Sequence, residues 1–324
     1  MRLHRYFQYT PLKLLEKAVP ACYAEPSCRV RFRLIQYIRK PVREDRVQAV
    51  TRPRDYPTII IFSIVTLGAM IGVPAYAYYY DFTAFDWTMF VVLYMVTGLG
   101  ITVGYHRMIS HRAFDCPGWV KVCFLIAGGW ALQNSALKWC GDHIRHHAVC
   151  DENDDPYNAL RGFWYSHCGW LFEKSSPDDN AKYDGKLRKD PLIMWQHRYY
   201  LPIILSGLAL PFVAGAAVNG SWMGGLSCFL LAGVCRIFLV LNSTFCINSI
   251  CHIWGAQPYG TKDSSRDSWW VSLITFGEGY HNYHHMYLRD YRNGPQWYNF
   301  DPSKWLIFSL SRIGLAYNLQ RRSN

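Results

Sequence analysis

Four long apolar stretches, almost free of charged residues, constrain this chain more than any other feature. They run from about 58 to 80, 87 to 105, 201 to 218 and 222 to 250. A bilayer core of about 30 Å is crossed by about 20 helical residues, so each stretch is long enough to span a membrane. Because backbone polar groups in lipid must be bonded within their own segment, the predicted fold is an all-α membrane protein with four transmembrane helices.

The distribution of basic residues predicts how these helices are oriented. Residues 1–55 contain 13 Lys and Arg against 5 Asp and Glu, and basic flanking segments remain on the cytoplasmic side of a membrane. The N-terminus is therefore predicted to be cytoplasmic. Since the number of spans is even, residues 106–198 and 251–324 should share that side and form a helical cytosolic cap. The predicted domains are a basic N-terminal segment, 1–55, and a membrane domain, 56–324.

The net charge is consistent with this interpretation. A charge of +11 would suit nucleic acid in a soluble protein, but here the basic excess lies beside spans, where anionic lipid headgroups attract it. We therefore predict membrane lipids and no nucleic acid as partners, in a bacterial inner membrane or the endoplasmic reticulum. Residues 119–137, interrupted by glycines and amides, are predicted to form an interfacial or re-entrant segment rather than a fifth span.

Nine of the twelve histidines fall into short clusters beside these stretches. Imidazole is the commonest metal ligand, and nine donors exceed the four that zinc usually takes, so two ions are predicted. Imidazole suits zinc, copper, iron and nickel, and the residues alone do not choose among them. None of the eleven cysteines forms a CxxC pair, which indicates reduced thiols. The candidate ligands are His106, His111, His143, His146, His147, His252, His281, His284 and His285.

The spacing of these histidines predicts how the rings converge. Residues three and four apart share one helix face, so the HxxHH runs at 143–147 and 281–285 should each present three rings to one point. Asn248 and His252 are one turn apart and could approach the same site. His106 and His111 are separated by about 140° on an ideal helix, so one of them should lie past a helix end and they need not serve the same ion.

These motifs, taken in order, resemble those of the membrane delta-9 fatty acyl desaturases, of which the stearoyl-CoA desaturases are best known. Order, spacing and flanking residues agree over roughly residues 55 to 300. The similar segments are HRMISHR at 106–112, HIRHH at 143–147, RGFWYSHCGWL at 161–171, NSICH at 248–252 and GEGYHNYHH at 277–285.

The resemblance implies a non-haem di-iron centre held by the nine histidines, with Asn248 holding a water beside one iron. It implies an enzyme that uses dioxygen and two electrons to insert a cis double bond, most simply at delta-9, into a saturated acyl chain. The electrons would come from an external donor, such as a ferredoxin or a b-type cytochrome with its reductase. Gln133, Asn134 and Trp139 would line a bent substrate tunnel, although Trp139 could instead be an interfacial anchor.

The chemistry explains why such a centre is needed. Unactivated methylenes offer no acid, carbonyl or leaving group to a side-chain acid or base, so no catalytic residue beyond the metal ligands is predicted. The outward ring nitrogens of the ligands need hydrogen-bond acceptors. Candidates for that role are Asp142, Glu278, Asp151, Glu152 and Asp155, and for the last three a solvated loop position is the favoured interpretation.

Two departures from the family pattern concern the carrier of the acyl chain. Gly141 stands where an arginine usually precedes the aspartate, and Glu173-Lys174 stands where a basic pair is usual. Both changes remove positive charge that a CoA phosphate would need. Acyl-CoA, acyl-lipid and acyl-carrier-protein substrates therefore all stay open.

Two other classes of function share some of these features. A related di-iron membrane hydroxylase would also carry HxxHH motifs, although GEGYHNYHH and HRxxSHR favour a desaturase. A non-enzymatic zinc-binding or transport protein would also use histidine clusters. The mass of the product and the identity of the bound metal distinguish the three.

Overall fold

The computed structural model describes residues 52–176 and 178–322. The predictions for the basic N-terminal segment up to residue 51 lie outside this described part. Within it the chain is helical, and pairing of extended backbone is limited to isolated bridges. The helices are α1 (Tyr56–Tyr79), α2 (Ala84–Ser110), α3 (Gly118–Gly129), α4 (Ala136–Ala148), α5 (Phe163–His167), α6 (Pro191–Arg198), α7 (Tyr200–Val218), α8 (Trp222–Ile253), α9 (Trp269–Ile274), α10 (His281–Met286) and α11 (Pro302–Arg312).

Four of these helices, α1, α2, α7 and α8, are long and apolar enough to cross a membrane, as the sequence predicts. Two of them are longer than predicted: α2 has 27 residues and α8 has 32. At 1.5 Å per residue, α2 is about 40 Å long, which exceeds the hydrocarbon core by about 10 Å. These two helices, which carry His106 and His252 in their last turns, are therefore longer than a membrane core requires.

The last eleven residues of α2, Gly100–Ser110, are wound as a π-helix. Its hydrogen bonds run from residue i+5 to residue i, as in the bond from His111 N–H to His106 C=O at 3.1 Å. Residues five apart therefore lie closer to one face of the helix than they would in an α-helix. Shorter π-helical segments occur in α1 at Gly68–Gly72 and in α8 at Phe229–Cys235.

Helix α3 lies against this π-helical segment and is too short to span a membrane, as predicted for residues 119–137. The two helices approach closely through glycine. A Cβ placed on Gly100 would lie 2.5 Å from the backbone nitrogen of Gly128, and one on Gly128 would lie 2.5 Å from the Tyr105 ring. This contact fixes the position of the last turns of α2.

The single charge in the fourth apolar stretch, Arg236, is buried. Its guanidinium donates to the backbone carbonyls of Ala232 at 3.0 Å and Trp130 at 2.7 Å. Backbone carbonyls are common partners for intramembrane charge. Arg236 therefore ties α8 to the end of α3.

One apolar cluster holds the ends of the spans against the helices that follow them. It contains Tyr105 and Ile109 from α2, Leu137 from α4, Ile193 from α6 and Ile307 from α11. Because these helices also carry or flank the clustered histidines, their packing sets the position of the candidate site.

Candidate metal centre

Four elements bring the nine clustered histidines together. The end of α2 supplies His106 and His111, and the end of α8 supplies His252. Helix α4 carries the first HxxHH run and begins with a cap in which Ser135 accepts from Lys138 N–H. The six-residue helix α10 carries the second run, and its first turn donates two backbone N–H groups to the Asp267 carboxylate.

Five of the rings form a first group: His106, His111, His143, His147 and His284. Their ligand nitrogens all lie within 4.8 Å of one another. The Nε2 atoms of neighbouring rings are 2.8 to 3.0 Å apart, as in His111 to His143 at 2.8 Å and His106 to His284 at 3.0 Å.

The other four rings form a second group: His146, His252, His281 and His285. The Nε2 atom of His281 lies 3.1 Å from that of His252 and 3.1 Å from that of His285. The Nε2 atom of His146 is buried and has no hydrogen-bond partner. All nine predicted residues therefore converge, and they divide five to four.

Each HxxHH run is divided between the two groups, which corrects the prediction that its three rings meet at one point. His143 and His147 belong to the first group, but His146 belongs to the second. In the second run His281 and His285 share a group, and His284 lies in the other. In each run the first and last histidines, which are four residues apart, share a group, whereas the middle histidine lies in the other group.

His106 and His111 lie in the same group although the sequence left this open. Their separation of about 140° applies to an α-helix, whereas the wider π-helical turn that joins them brings residues five apart onto the same face. Their ring centroids are 4.7 Å apart. His111 follows the last residue of α2, as the sequence predicts for one of the pair.

The ring nitrogens have the arrangement expected of metal ligands. With a metal–nitrogen distance of about 2.1 Å, ligands at 90° are about 3.0 Å apart and tetrahedral ligands about 3.4 Å. The observed separations of 2.8 to 3.1 Å agree with the former. Where Nδ1 donates outward, the Nε2 lone pair faces other lone pairs, so the centre needs cations to be stable.

Carboxylates and hydroxyls behind the rings set this orientation. The Nδ1 atom of His106 lies 2.9 Å from Glu278, that of His146 lies 2.9 Å from Asp155, and that of His285 lies 3.1 Å from Asp263. A ring that donates through Nδ1 keeps Nε2 free to bind a metal. Among the predicted acceptors Glu278 contacts a histidine, whereas Asp142 instead accepts from Lys138 and Asn180.

The expectation that Asp151 and Asp155 are solvated loop residues is wrong. Asp155 is buried against His146. Asp151 accepts from the hydroxyl of Ser264 at 2.6 Å, and that hydroxyl lies 2.8 Å from Nδ1 of His252. Glu152 is exposed, as expected. Sequence reasoning missed Asp263 and Ser264, because neither lies beside a histidine along the chain.

Burial favours the neutral form of most of the rings, although at His146 it is outweighed by the adjacent Asp155, which raises the pKa of that ring. Removal from water, followed by the effect of neighbouring imidazoles, lowers the pKa of His143 and His284 well below the usual value, and the same holds for His111, His147 and His281. Only a neutral ring offers a lone pair to a metal. Burial tends to raise the pKa of Glu278, but the adjacent Arg107 and His106 hold it below its usual value.

A buried ion network supports the first group from behind. The Arg107 guanidinium lies 2.9 Å from Glu278 and 2.9 Å from Asp301, the residue that caps α11. It also donates to the Tyr291 carbonyl at 2.8 Å. Because Glu278 holds His106, this network connects the C-terminal helix to the histidines.

An apolar cavity of about 220 Å³ ends at the histidines. Rings from both groups, including His106 and His146, line one end of it, and residues of the spans such as Phe62 and Leu241 line the rest. The predicted tunnel residues Gln133, Asn134 and Trp139 all lie on its wall, and so does Asn248.

Hydrogen bonds fix the shape of the cavity wall next to the histidines. Gln133 donates to the Thr244 hydroxyl at 2.9 Å and accepts from the Trp139 indole N–H at 3.1 Å. The Trp139 ring stacks on His143 with 5.1 Å between centroids. This bonded set joins α4 and α8 at the point where the cavity reaches the centre.

A small polar pocket shares Asp142 and Trp170 with this cavity. Glu173, one of the two departures from the family pattern, pairs there with Arg161 at 2.8 Å. At the other departure, a Cβ on Gly141 would lie 2.9 Å from the side-chain nitrogen of Asn180. Asn180 therefore occupies the space that a side chain at position 141 would need.

Four apolar helices, and a mainly apolar cavity lined by rings from two histidine groups, are those of a membrane protein whose histidine cluster is compatible with two metal ions. A sequence model described as "Fatty acid desaturase" matches residues 85–307, and the chain belongs to that family.

Three relatives extend this finding. The chain is 42% identical to "Probable acyl-CoA desaturase" of Schizosaccharomyces pombe over 71% of this chain and 48% of that protein. It is 40% identical to "Acyl-CoA desaturase 1" of Saccharomyces cerevisiae, over 72% and 46%. It is 37% identical to "sn-2 palmitoyl-lipid 9-desaturase" of Nostoc sp., over 72% and 81%. The matched region thus spans about half the length of the two yeast relatives.

Proposed function

We propose that this protein is an oxygen-dependent fatty acyl desaturase that inserts a cis double bond, most simply at delta-9, into a saturated acyl chain. The observation that carries the proposal is the cavity, which is mainly apolar and is lined by rings from both histidine groups. The names of the acyl-CoA and acyl-lipid desaturase relatives support the same activity.

The nine histidines are proposed to hold two iron ions, five ligands on one and four on the other. Asn248 lies one turn before His252 and lines the cavity, so its amide is proposed to hold a water beside the second ion. Iron bound there would supply the oxidising power that side chains lack. Imidazole ligands fit iron as well as zinc or copper, and membership of the family favours iron.

The residues around the cavity would position the substrate. The apolar walls exclude water and bind methylenes, while the bonded set of Gln133, Thr244 and Trp139 fixes where the cavity passes the histidines. Preorganised geometry of this kind selects which methylenes react in a chain that lacks distinguishing groups. The position of the double bond would follow from the distance between this set and the carrier.

The orientation and partners follow from the same proposal. Both termini and the histidine centre would face the cytoplasm, as the basic N-terminal segment predicts. Dioxygen would be the co-substrate, and a ferredoxin or a b-type cytochrome with its reductase would supply the electrons. Acyl-CoA, acyl-lipid and acyl-carrier-protein substrates all remain compatible with the polar pocket at Glu173.

The test is expression in a host that lacks its own desaturase, with a saturated fatty acid supplied and the double bond located after chemical derivatisation. We expect a product that is lighter than the substrate by two hydrogens. We also expect metal analysis of the purified protein to find two iron ions per chain. A product heavier by one oxygen would indicate the hydroxylase. One zinc ion, no iron and unchanged fatty acids would indicate the non-enzymatic alternative.

Replacement of His284 by Ala should abolish unsaturation, because His284 makes two of the closest Nε2 contacts in the first group. His197→Gln is the matched control, since that side chain is exposed, lies outside both groups, and as glutamine can still bond the Ser135 hydroxyl that His197 contacts at 2.7 Å. Unsaturated product from the His284 variant at the level of the parent would contradict the assignment of His284 as a ligand.

A further inference from the structure

We propose that the indole N–H of Trp170 donates a hydrogen bond to the carbonyl oxygen through which the acyl chain is joined to its carrier. Trp170 would then be a substrate-binding residue that fixes the start of the chain. The inference rests on the proposed desaturase function, which places an acyl ester or thioester in the cavity. The chemistry that is recognised, a carbonyl oxygen, is common to a lipid ester and to a thioester of CoA or of a carrier protein.

Trp170 lies where two spaces of opposite character meet. The apolar cavity of about 220 Å³ and the polar pocket of about 60 Å³ share two lining residues, Asp142 and Trp170. An acyl ester is divided in the same way, because its apolar chain and its polar carrier meet at the carbonyl. With the chain in the cavity and the carrier in the pocket, the carbonyl lies beside these two residues.

The N–H group of Trp170 is an unused hydrogen-bond donor. Its Nε1 atom is buried and has no acceptor among the described residues, 52–176 and 178–322. A buried indole N–H usually has a partner, because a buried donor without an acceptor costs free energy. The missing acceptor is therefore assigned to the bound substrate.

The carboxylates of the polar pocket are engaged elsewhere. Asp142 accepts from Lys138 at 2.6 Å and from Asn180 at 2.8 Å. Glu173 pairs with Arg161 at 2.8 Å. Both acids keep these partners without the indole, so neither of them replaces a substrate oxygen as its acceptor.

A second unused donor lies in the same pocket. Arg145 is 6% exposed, and its Nε atom has no acceptor within the described part of the chain. Its terminal nitrogens lie 3.9 Å from Asp142 and 3.6 Å from Asp179, which is beyond hydrogen-bonding distance. Two buried donors without acceptors, next to the opening of the apolar cavity, suit the oxygen atoms of an ester and its carrier.

The fold holds the indole in a fixed place. Trp170 belongs to a short 3₁₀ turn, Gly169–Phe172. The backbone N–H of Asp55, the residue that caps α1, donates to the carbonyl of Phe172 at 2.9 Å. The turn is thus attached to the start of the first span, and the donor is positioned before the substrate binds.

One side chain, Tyr157, separates the indole from both histidine groups. Its ring centroid lies 5.2 Å from that of Trp170 and 4.5 Å from that of His146. Its hydroxyl lies 3.3 Å from the Nδ1 atom of His143. Because methylenes are counted from the carbonyl, a carbonyl held at Trp170 determines which of them reach the rings.

The experiment compares ligands that have or lack the carbonyl, with the metal-loaded full-length protein in detergent and without dioxygen, so that no turnover occurs. The carbonyl ligands are stearoyl-CoA, stearoyl lysophosphatidylglycerol and stearoyl acyl carrier protein. The partner of each is the octadecyl thioether or ether, in which a methylene replaces the carbonyl. Trp170→Phe should weaken binding of the preferred carbonyl ligand by about three- to tenfold, and should leave its partner within about twofold. The pair in which the carbonyl ligand binds the parent most tightly identifies the carrier.

Infrared spectroscopy reports on the hydrogen bond itself. With a heavy carbon isotope at the carbonyl, the bound ligand should show a lower carbonyl stretching frequency in the parent than in Trp170→Phe, because donation to the oxygen weakens the C=O bond. Trp164→Phe is the matched control. It makes the same exchange in the same segment, at a side chain that is 73% exposed and lines neither space, and it should change neither measurement.

Equal weakening of the carbonyl ligand and its partner by Trp170→Phe would indicate a packing role and overturn the proposal. An unchanged carbonyl frequency would also overturn it, as would failure of every carbonyl ligand to bind the parent. The expected binding and frequency changes, without unsaturated product from the parent when dioxygen and a reductant are supplied, would leave the carbonyl contact standing and refute the desaturase function itself.

Discussion

At the scale of single residues, the centre depends on groups that do not touch a metal themselves. Asp155 and Asp263 each hold one ring of the second group through Nδ1, and Ser264 with Asp151 holds His252. Three of the four rings in this group are therefore fixed from outside. The fourth, His281, has a buried Nδ1 atom without a partner.

Replacing Asp155 or Asp263 by Asn should weaken metal binding by about 10- to 100-fold, because the amide leaves the ring tautomer and orientation unset. Competition with a chelator, followed by metal analysis, measures the change. Asp154→Asn is the control, since Asp154 is exposed and contacts none of the clustered rings. Equal affinity in all three variants would show that the carboxylates do not orient the rings.

A second residue-scale prediction concerns Asp267, whose carboxylate accepts from the backbone N–H groups of Asn282 and Tyr283. Burial raises its pKa from 3.8 to about 6. The Asp267 carboxyl therefore binds its proton more tightly in the folded state than in the unfolded state. This difference stabilises the folded protein at low pH, and the stabilisation is lost as the pH rises from about 4 to 6.

Asp267→Asn should remove this pH-dependent loss of stability, while its amide oxygen can still accept from the backbone N–H groups of α10. Above pH 6 the variant should be more stable than the parent by at most about 3 kcal/mol, and the difference should vanish towards pH 4. Thermal unfolding of the detergent-solubilised protein across this range measures it. A difference that does not change with pH would contradict the raised pKa of Asp267.

At the scale of elements, backbone geometry decides which histidines lie in the same group. The sequence identified all nine rings, because their spacing and flanking residues are local features. It could not assign them to groups: an ideal α-helix separates His106 from His111, and only the π-helical winding of Gly100–Ser110 brings them onto the same face. Asp263 was missed for a related reason, since it reaches His285 through the fold and lies 22 residues away in the chain.

The close contact between α2 and α3 allows a test of whether backbone packing positions the histidines. Gly100→Ala should destabilise the protein and lower its metal content, because the new methyl group would meet backbone atoms of Ala127 and Gly128 that cannot rotate away. Overpacking of this kind typically costs about 1–3 kcal/mol. Gly72→Ala in α1 is the matched control, where the nearest atom is the Leu230 side chain at 4.0 Å. Unfolding temperatures and metal content that match between the two variants would contradict the close approach.

At the scale of the whole molecule, the metals are expected to act as cross-links between segments that are distant in the chain. The first group joins α2, α4 and α10, and the second joins α4, α8 and α10. The four spans were predictable from hydropathy alone. The π-helical segments and the close contact between α2 and α3 were not, because they depend on packing between helices.

Removal of the metals should therefore lower the unfolding temperature by several degrees. A ligand at 100 times its Kd stabilises the folded state by about 2.7 kcal/mol, and the two ions together should give more. Chelator treatment followed by thermal unfolding, with iron added back as the control, measures the effect. An unchanged unfolding temperature after complete removal would mean that the apo-protein holds the nine rings unaided.

The order of the ligands along the chain has a consequence for biogenesis. His106 and His284 are 178 residues apart yet serve the same group, and the second group also waits for His281 and His285. A ribosome that has inserted all four helices has still produced neither complete ligand set. Under the proposed function, a complete two-ion centre would thus form only in chains whose translation has passed residue 285, and a prematurely terminated product would lack a complete ligand set for either ion.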